Sequence, residues 1–433
     1  METKDHYNKI ETDVLSAMKN PGILYWVLLA LSAGLCTILL SCWGYQIYTG
    51  MGVSGKNHPV GWYFYITSFV FWVGIAHSGT LISAILYLMR ARFRRSFNRA
   101  AEAMTVFSIM VAGLFPLIHL GRTWLFYWLI PYPNQRHLWI NFRSPLVWDV
   151  FAVSTYFTVS LIFFYVGMIP DLAIVRRRSE GIRKWIYSTL SLGWEGSSSQ
   201  WKNYNQLYLL LAAFATPLVV SVHSVVSWDF AMSIIPGWHT TIFAPYFVAG
   251  AIFSGTAMVI LLVVPMRKMF SLENYITIDH FENIAKILLF TSLIVTYSYI
   301  VEISLAFYGN NVFEKELYRY RAFGTFKILF WFMIFSNSIL PLTLFIRRLR
   351  RSLPYLFITS LLVTVGMWIE RFVIIVTSLG RDYDPYAWGI PNLSFVAIGI
   401  VLGSFGMFFM LFLIFVKVLP VLSVTELKES YQD

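Results

Sequence analysis

Four ionisable residues interrupt long apolar stretches of this chain: His119, Asp149, Asp229 and Arg371. An ionisable side chain inside a membrane is costly, so such residues are candidates for function. A neutral imidazole can hydrogen-bond a hydroxyl and take its proton, because its unperturbed pKa is about 6.5. A carboxylate on the next helix can orient that imidazole and hand the proton to water. Aromatic and apolar walls suit a flat ring with an isoprenoid tail. These parts fit quinol oxidation, which releases two electrons and two protons. They also fit other amphipathic ligands.

The densest supply of such parts is the stretch 115–149, FPLIHLGRTWLFYWLIPYPNQRHLWINFRSPLVWD. Periodicity predicts a third apolar helix over 102–130, with His119 about three turns below its end. An aromatic run follows, then a turn through Pro131, Pro133 and Asn134. Asp149 begins a fourth helix over 146–169. Arg122, Trp124 and Trp148 flank this pair, and Asp229 and Arg371 end or line later helices. At about 1.5 Å per residue, all four ionisable residues fall in the same half of the bilayer. His77, His223, Glu302 and Glu370 lie in other apolar helices and form a candidate proton path. The plainer reading has the aspartates at the water interface, Arg371 paired with a neighbour such as Glu302, and the rest bonded within the core.

Hydrophobic residues make up 58% of the chain and charged residues 13%. About ten stretches reach the roughly 20 apolar residues that a transmembrane helix needs. The expected fold is therefore an all-α polytopic membrane protein. The remaining predicted helices are 24–48, 62–89, 206–228, 244–265, 284–308, 326–346, 354–379 and 393–417. The first 20 residues lack a cleavable signal pattern, so the first helix is expected to stay as an anchor. Of the 33 Lys and Arg residues, 23 lie in alternate loops or at the termini. That bias puts both termini in the cytoplasm and the 115–149 stretch on the outer face. It also accounts for the net charge of +11 without nucleic acid. Cys36 and Cys42 stand six apart on one helix and suit neither a disulfide nor a metal site. No CxxCH or CxxC motif offers covalent haem or a cluster site. A two-histidine haem site such as His119 with His223 remains an alternative.

Ser78-Gly79-Thr80 recurs as Ser254-Gly255-Thr256, each mid-helix and followed by a basic cluster. The repeat suggests two four-helix bundles with the first and last helices flanking them. The segments are then 1–21 (N-terminal segment), 22–61 (first flanking helix and loop), 62–228 (first bundle), 229–379 (second bundle) and 380–433 (last helix and tail). The aromatic loops at 61–65, 236–246 and 384–391 read as interfacial belts. The loop 170–205, with SLGWEGSSSQ, reads as flexible. A transporter would instead break its helices near the repeat interface, with Pro116 and Pro217 as the candidate breaks.

Several long motifs carry a family resemblance: WVGIAHSGTLISAIL, NRAAEAMTVF, GLFPLIHLGRTW, NFRSPLVWDVFAVSTYFTVSL, SVHSVVSWDFAMSIIPGWHTTIFAPYFVAGAIFSG and GMWIERFVIIVTSL. They resemble the ActC-type quinone-binding membrane subunit of alternative complex III, within the NrfD/polysulfide-reductase anchor family, over about residues 20–425. The paralogous ActF type shares many of them; His119, Asp149, Asp229 and Arg371 together favour ActC. The resemblance implies a bacterial inner-membrane subunit that oxidises menaquinol or ubiquinol near the periplasmic face, with His119 and Asp149 at the centre. Electrons would pass to a periplasmic iron–sulfur subunit, then to c-type haem subunits and a cytochrome c or terminal oxidase. A second NrfD-like subunit and lipids would be partners. The chain would carry no haem or iron–sulfur cluster and no metal of its own. The family often has an aspartate where this chain has Tyr65, which weakens a proton-pumping role. A transporter and a non-oxidising structural anchor are the alternatives.

Overall fold

The computed structural model describes residues 2–19, 21–130 and 142–429. Among them the chain is helical and no strand occurs. Ten helices among the described residues are long and apolar enough to cross a membrane. The first five are α1 (Gly22–Thr49), α2 (Phe64–Leu88), α3 (Asn98–His119), α4 (Pro145–Arg177) and α5 (Ser198–Ala231). The second five are α6 (Phe243–Met269), α7 (Ile278–Tyr308), α8 (Lys327–Phe345), α9 (Leu353–Thr377) and α10 (Phe395–Val418). Apolar side chains tolerate lipid, and each helix satisfies its own backbone groups. The sequence-based expectation of a ten-helix membrane protein is met.

Helices α2–α5 pack as one bundle and α6–α9 as a second. α1 pairs with α10, which leans on α3. α2 is the hub: it touches α3, α5, α6, α9 and α10. Its contact with α6 is made of small residues. A Cβ on Gly74 would sit 3.6 Å from Ala251 Cα, and one on Gly255 would sit 2.4 Å from Ser78 Cβ. Small residues four apart let two backbones approach closely. Ser78 Oγ then lies 2.9 Å from Thr256 Oγ1, so the two repeated Ser-Gly-Thr motifs meet at the bundle junction.

Local chemistry moved several boundaries. α3 ends at His119, not near residue 130. Gly121 takes φ +73°, and Leu120 N–H returns to Pro116 O at 3.0 Å. Glycine reaches the left-handed region at little cost and stops helices there. Thr123–Leu129 forms a separate 3-10 segment with Trp124, Phe126, Tyr127 and Trp128 exposed. The turn through Pro131, Pro133 and Asn134 lies outside the described residues.

The 170–205 stretch is mostly helical, not a flexible loop. α4 continues to Arg177, a short helix covers Gly181–Leu190, and α5 starts early. The start is a capping box inside SSSQ: Ser197 Oγ accepts from Gln200 N–H at 3.3 Å, and Gln200 Oε1 accepts from Ser197 N–H at 3.2 Å. That motif satisfies two orphan donors at a helix start. Helices also run unbroken through Pro116 and Pro217. Membrane helices tolerate internal proline when neighbours re-satisfy the freed groups. Wider, π-type turns occur instead at Leu81–Ile85, Phe335–Ile339 and Val373–Thr377.

Several loop aromatics expected at the interface are buried. Tyr63, Tyr65 and Trp238 are covered, and Trp62 stacks on Trp238 with centroids 5.8 Å apart. Trp238 N–H donates to Ile374 O at 2.9 Å, tying a loop to α9. These loops fold back over the bundle ends because a large ring gains more from packing there than from the surface.

The α2–α6 junction yields a test. Gly255→Val forces a side chain into Ser78 and should destabilise the protein by about 1–3 kcal/mol. Thermal unfolding in detergent should show a lowered midpoint for Gly255→Val. Gly113→Ala, with open space around its Cβ, should leave the midpoint where it is. Equal midpoints in all three proteins contradict the close approach.

Candidate functional site

Two faces can be told apart. One carries the aromatic loops and the ends of α3 and α5. The other carries the basic clusters, the N-terminal helix Glu2–Lys19 and the C-terminal helix Val424–Glu429. His119 is the last residue of α3, on the aromatic face. It is half-buried, and its Nδ1 lies 3.1 Å from Lys56 Nζ. Lys56 sits over the ring of Tyr65, 5.2 Å from its centre. Tyr65 OH donates to Gln46 Oε1, and Gln46 Nε2 donates to Ile118 O at 3.0 Å. A chain of polar contacts from α1, the α1–α2 loop and α2 thus fixes the end of α3. Burial in this loop lowers Lys56 to about 8.

A protonated lysine only donates. Opposite Lys56, Nδ1 of His119 is therefore the acceptor, and the imidazole proton sits on Nε2.

Asp149 is buried in the second turn of α4, and Asp229 lies near the end of α5. Their carboxyl groups lie against each other. The Oδ1 atom of each is buried without a partner. A hydrogen bond between two carboxyl groups needs one of them to carry the proton. Neither aspartate is a lone interfacial group, as the plainer sequence reading had it. Trp148 roofs the pair: its N–H donates to Phe142 O at 2.6 Å, and its ring stands edge-on to Trp228 at 6.0 Å. No described contact joins His119 to Asp149. Arg122 and Trp124 are exposed beside them.

Arg371 lies in α9, 3% exposed. It pairs with Glu370 at 2.7 Å, not with Glu302. Its guanidinium stands 4.2 Å from the ring centre of Phe247, in space left by Gly250. The i,i+1 neighbours meet because the cation would otherwise be unpaired in the core. Glu370 also accepts from Tyr299 OH, which in turn accepts from Asn337 Nδ2 at 3.0 Å. Glu302 instead faces Arg321 at 3.8 Å. Arg321 comes from a loop helix, Val312–Phe323, and donates to Thr377 and Ser378 at 2.8 and 2.9 Å.

His77 and His223 touch across the α2–α5 contact, ring centroids 4.7 Å apart. His223 therefore partners His77, and not His119 as a two-histidine haem site would require. Both ring nitrogens of His223 and Nε2 of His77 are buried without partners. Tyr156 stacks on His77 at 4.8 Å and meets Thr80 Oγ1 at 2.7 Å. Among the described residues, no three His, Cys, Asp or Glu side chains gather as a metal site.

Sequence reasoning missed several partners. Lys56 and Gln46 contact the end of α3 from 63 and 72 residues away in sequence, with Tyr65 behind them, and nothing local signals that. Arg321 sat in a polar loop. One missed group was visible: Arg99, Glu102 and Asp171 are ionisable residues in apolar helices. Arg99 donates to Glu102 Oε2 at 2.9 Å, Asp171 Oδ2 at 2.8 Å and Gly167 O at 2.8 Å.

Ten lipid-compatible helices with ionisable groups gathered in their core define a multi-pass membrane protein. A family model described as "Polysulphide reductase, NrfD" matches residues 52–380. The chain belongs to the NrfD polysulphide reductase family. It is similar to a Halobacterium salinarum protein provisionally named as a membrane subunit of dimethyl sulfoxide reductase. The two are 30% identical over 249 residues, covering 57% of this chain and 52% of that protein. It is also similar to a selenate reductase subunit of Mesobacillus selenatarsenatis, 22% identical over 224 residues, covering 50% and 51%. The chain thus spans about half the length of the curated relatives it matches.

The Arg371–Glu370 pair makes a stability prediction. Arg371→Met strands a carboxylate in the core and should cost about 3–5 kcal/mol. The double variant Glu370→Gln/Arg371→Met removes both charges and should recover much of that loss in thermal unfolding. A double variant as unstable as the sum of the two singles contradicts the pairing.

Proposed function

We propose that the chain is the quinone-reactive membrane subunit of an oxidoreductase complex and oxidises quinol at the aromatic face of the first bundle. Within the family, the motifs favour the ActC-type subunit of alternative complex III. The observation that carries the reading is His119, held at a helix end with Nδ1 engaged by Lys56 and Nε2 left for a ligand. The Asp149–Asp229 pair lies on the two following helices at the same face. Family membership supports a complex in which this chain anchors redox partners.

The reaction needs sites for two protons. While Lys56 is charged, His119 Nε2–H can donate to a ring oxygen. Once Lys56 loses its proton, its Nζ accepts, and the imidazole proton moves to Nδ1. Nε2 is then free to take a hydroxyl proton from quinol. The Asp149–Asp229 pair offers the second acceptor. The two electrons leave to an adjacent iron–sulfur subunit and on to c-type haem subunits. Menaquinol and ubiquinol both fit this scheme. With the charge bias, the face would be periplasmic and the protons released outside.

A second reading, proton transfer through the bundles, draws on the contact between His77 and His223 and on the buried groups Glu370 and Glu302. The two readings separate in one variant. His119→Ala should lower quinol oxidation by about 10²-fold or more while the complex still assembles, and Asp149→Asn should do likewise. A purely proton-conducting chain would keep its proton flux in His119→Ala and show no quinol turnover to lose. Normal quinol turnover in both variants would sink the proposal.

The role of Lys56 adds a pH dependence. The competent form has Lys56 neutral, so the rate should climb as pH rises through about 8. Between pH 7 and pH 9 the neutral fraction grows by roughly tenfold for a single titration near that value. Turnover of the complex across this range should follow it, and Lys56→Met should flatten the profile. An unchanged inflection in Lys56→Met contradicts the assignment.

A further inference from the structure

On the basic face, the first bundle encloses a cavity of about 310 Å³. That is roughly ten times the ~30 Å³ that a water molecule takes up in the liquid. Its walls include Arg90, Arg92, Arg94 and Arg95, from the end of α2 and the loop after it, and Tyr204 and Tyr208 from the start of α5. Glu426 and Glu429 of the C-terminal helix complete it. Four cations thus face two carboxylates.

Arginines at this face are expected from membrane topology; Arg94 differs in being buried with a spare donor at the cavity wall. Arg94 is 5% exposed. Its Nη2 donates to Glu426 Oε1 at 3.0 Å, and its guanidinium lies 4.7 Å from the ring centre of Tyr87. Its Nη1 is buried and has no partner. Glu426 Oε2 beside it is also buried without a partner. Nearly all buried polar atoms in folded proteins are satisfied, so the ion pair leaves one donor and one acceptor open to a ligand at this cavity. Arginine–carboxylate pairs recur on this face. Arg350 and Arg351 close on Glu282 at 3.0 and 2.5 Å, and Arg178 closes on Glu11 at 2.6 Å.

The surroundings select the kind of acceptor. Leu88 and Met89, between Tyr87 and Arg90 in the chain, are exposed, as is Leu207 beside Tyr208. An apolar strip therefore borders the arginine-lined cavity. Guanidinium forks match phosphate oxygens, and basic pockets between membrane helices accept anionic headgroups.

We propose that this cavity binds the phosphodiester headgroup of an anionic phospholipid, whose acyl chains lie along Leu88, Met89 and Leu207. The headgroup completes Arg94 and ties the α2–α3 loop to α5 and the C-terminal helix. This site is separate from the quinone-reactive one, on the opposite face of the bundle.

The test uses the intact complex in nanodiscs of phosphatidylcholine with or without phosphatidylglycerol. Bound lipid is quantified by mass spectrometry after detergent washing. Wild type should retain phosphatidylglycerol and unfold at a higher temperature when it is present. Arg90→Gln/Arg92→Gln changes two exposed side chains and should fold; its retention should fall by about fivefold or more, and the thermal gain should vanish. Arg94→Gln should lose retention further. Equal retention in wild type and the Arg90/Arg92 variant overturns the proposal. So does full protection by millimolar inorganic phosphate in phosphatidylcholine discs, which assigns the cavity to a free anion.

Discussion

The close approach of α2 and α6 is the constraint on which the rest depends. Gly74 and Ser78 face Ala251 and Gly255, and no bulky side chain fits between them. Because the backbones touch there, the two bundles share one centre. His223 on α5 meets His77 on α2 beside this junction, and the His223 ring lies 5.9 Å from Phe247 of α6. Phe247 and Gly250 of α6 in turn make the seat for Arg371. The junction therefore decides which ionisable groups become neighbours.

A second rule follows from the low dielectric of the core: buried cations must be matched. Arg99, Arg371 and Arg321 each find a carboxylate; Arg99 also donates to a carbonyl, Arg321 to two hydroxyls, and Arg371 lies against the Phe247 ring. The groups left incompletely satisfied are therefore informative. Among them are the imidazoles of His77 and His223, one oxygen each of Asp149 and Asp229, and Nη1 of Arg94. The first four carry protons or can take them. The last faces a cavity beside exposed apolar side chains.

The helices were legible in the sequence because apolar runs of membrane length have few alternatives. The Ser-Gly-Thr repeat also pointed to a real contact, although three residues could not say that the two copies meet each other. What failed was local stop and start chemistry. The run Trp124–Ile130 is apolar enough to continue a helix, and hydropathy outweighed the Gly121 stop. The Ser197–Gln200 cap was present inside a stretch read as flexible. The candidate ionisable residues were visible one by one, since charge in an apolar run is rare. Their partners were not, because Lys56 and His119, or Asp149 and Asp229, meet through tertiary packing over 63 and 80 residues of chain. Hence the expected pairing of His119 with Asp149 gave way to two separate pairs at one face.

In the proposed scheme a quinone ring binds at the end of α3. A density map of the intact complex with a bound quinone analogue tests it most directly. A planar ring is expected with an oxygen within hydrogen-bonding distance of His119 Nε2, bordered by the Asp149–Asp229 pair. A ring found only in the second bundle, or an analogue that inhibits turnover while the His119 region stays empty, would contradict it.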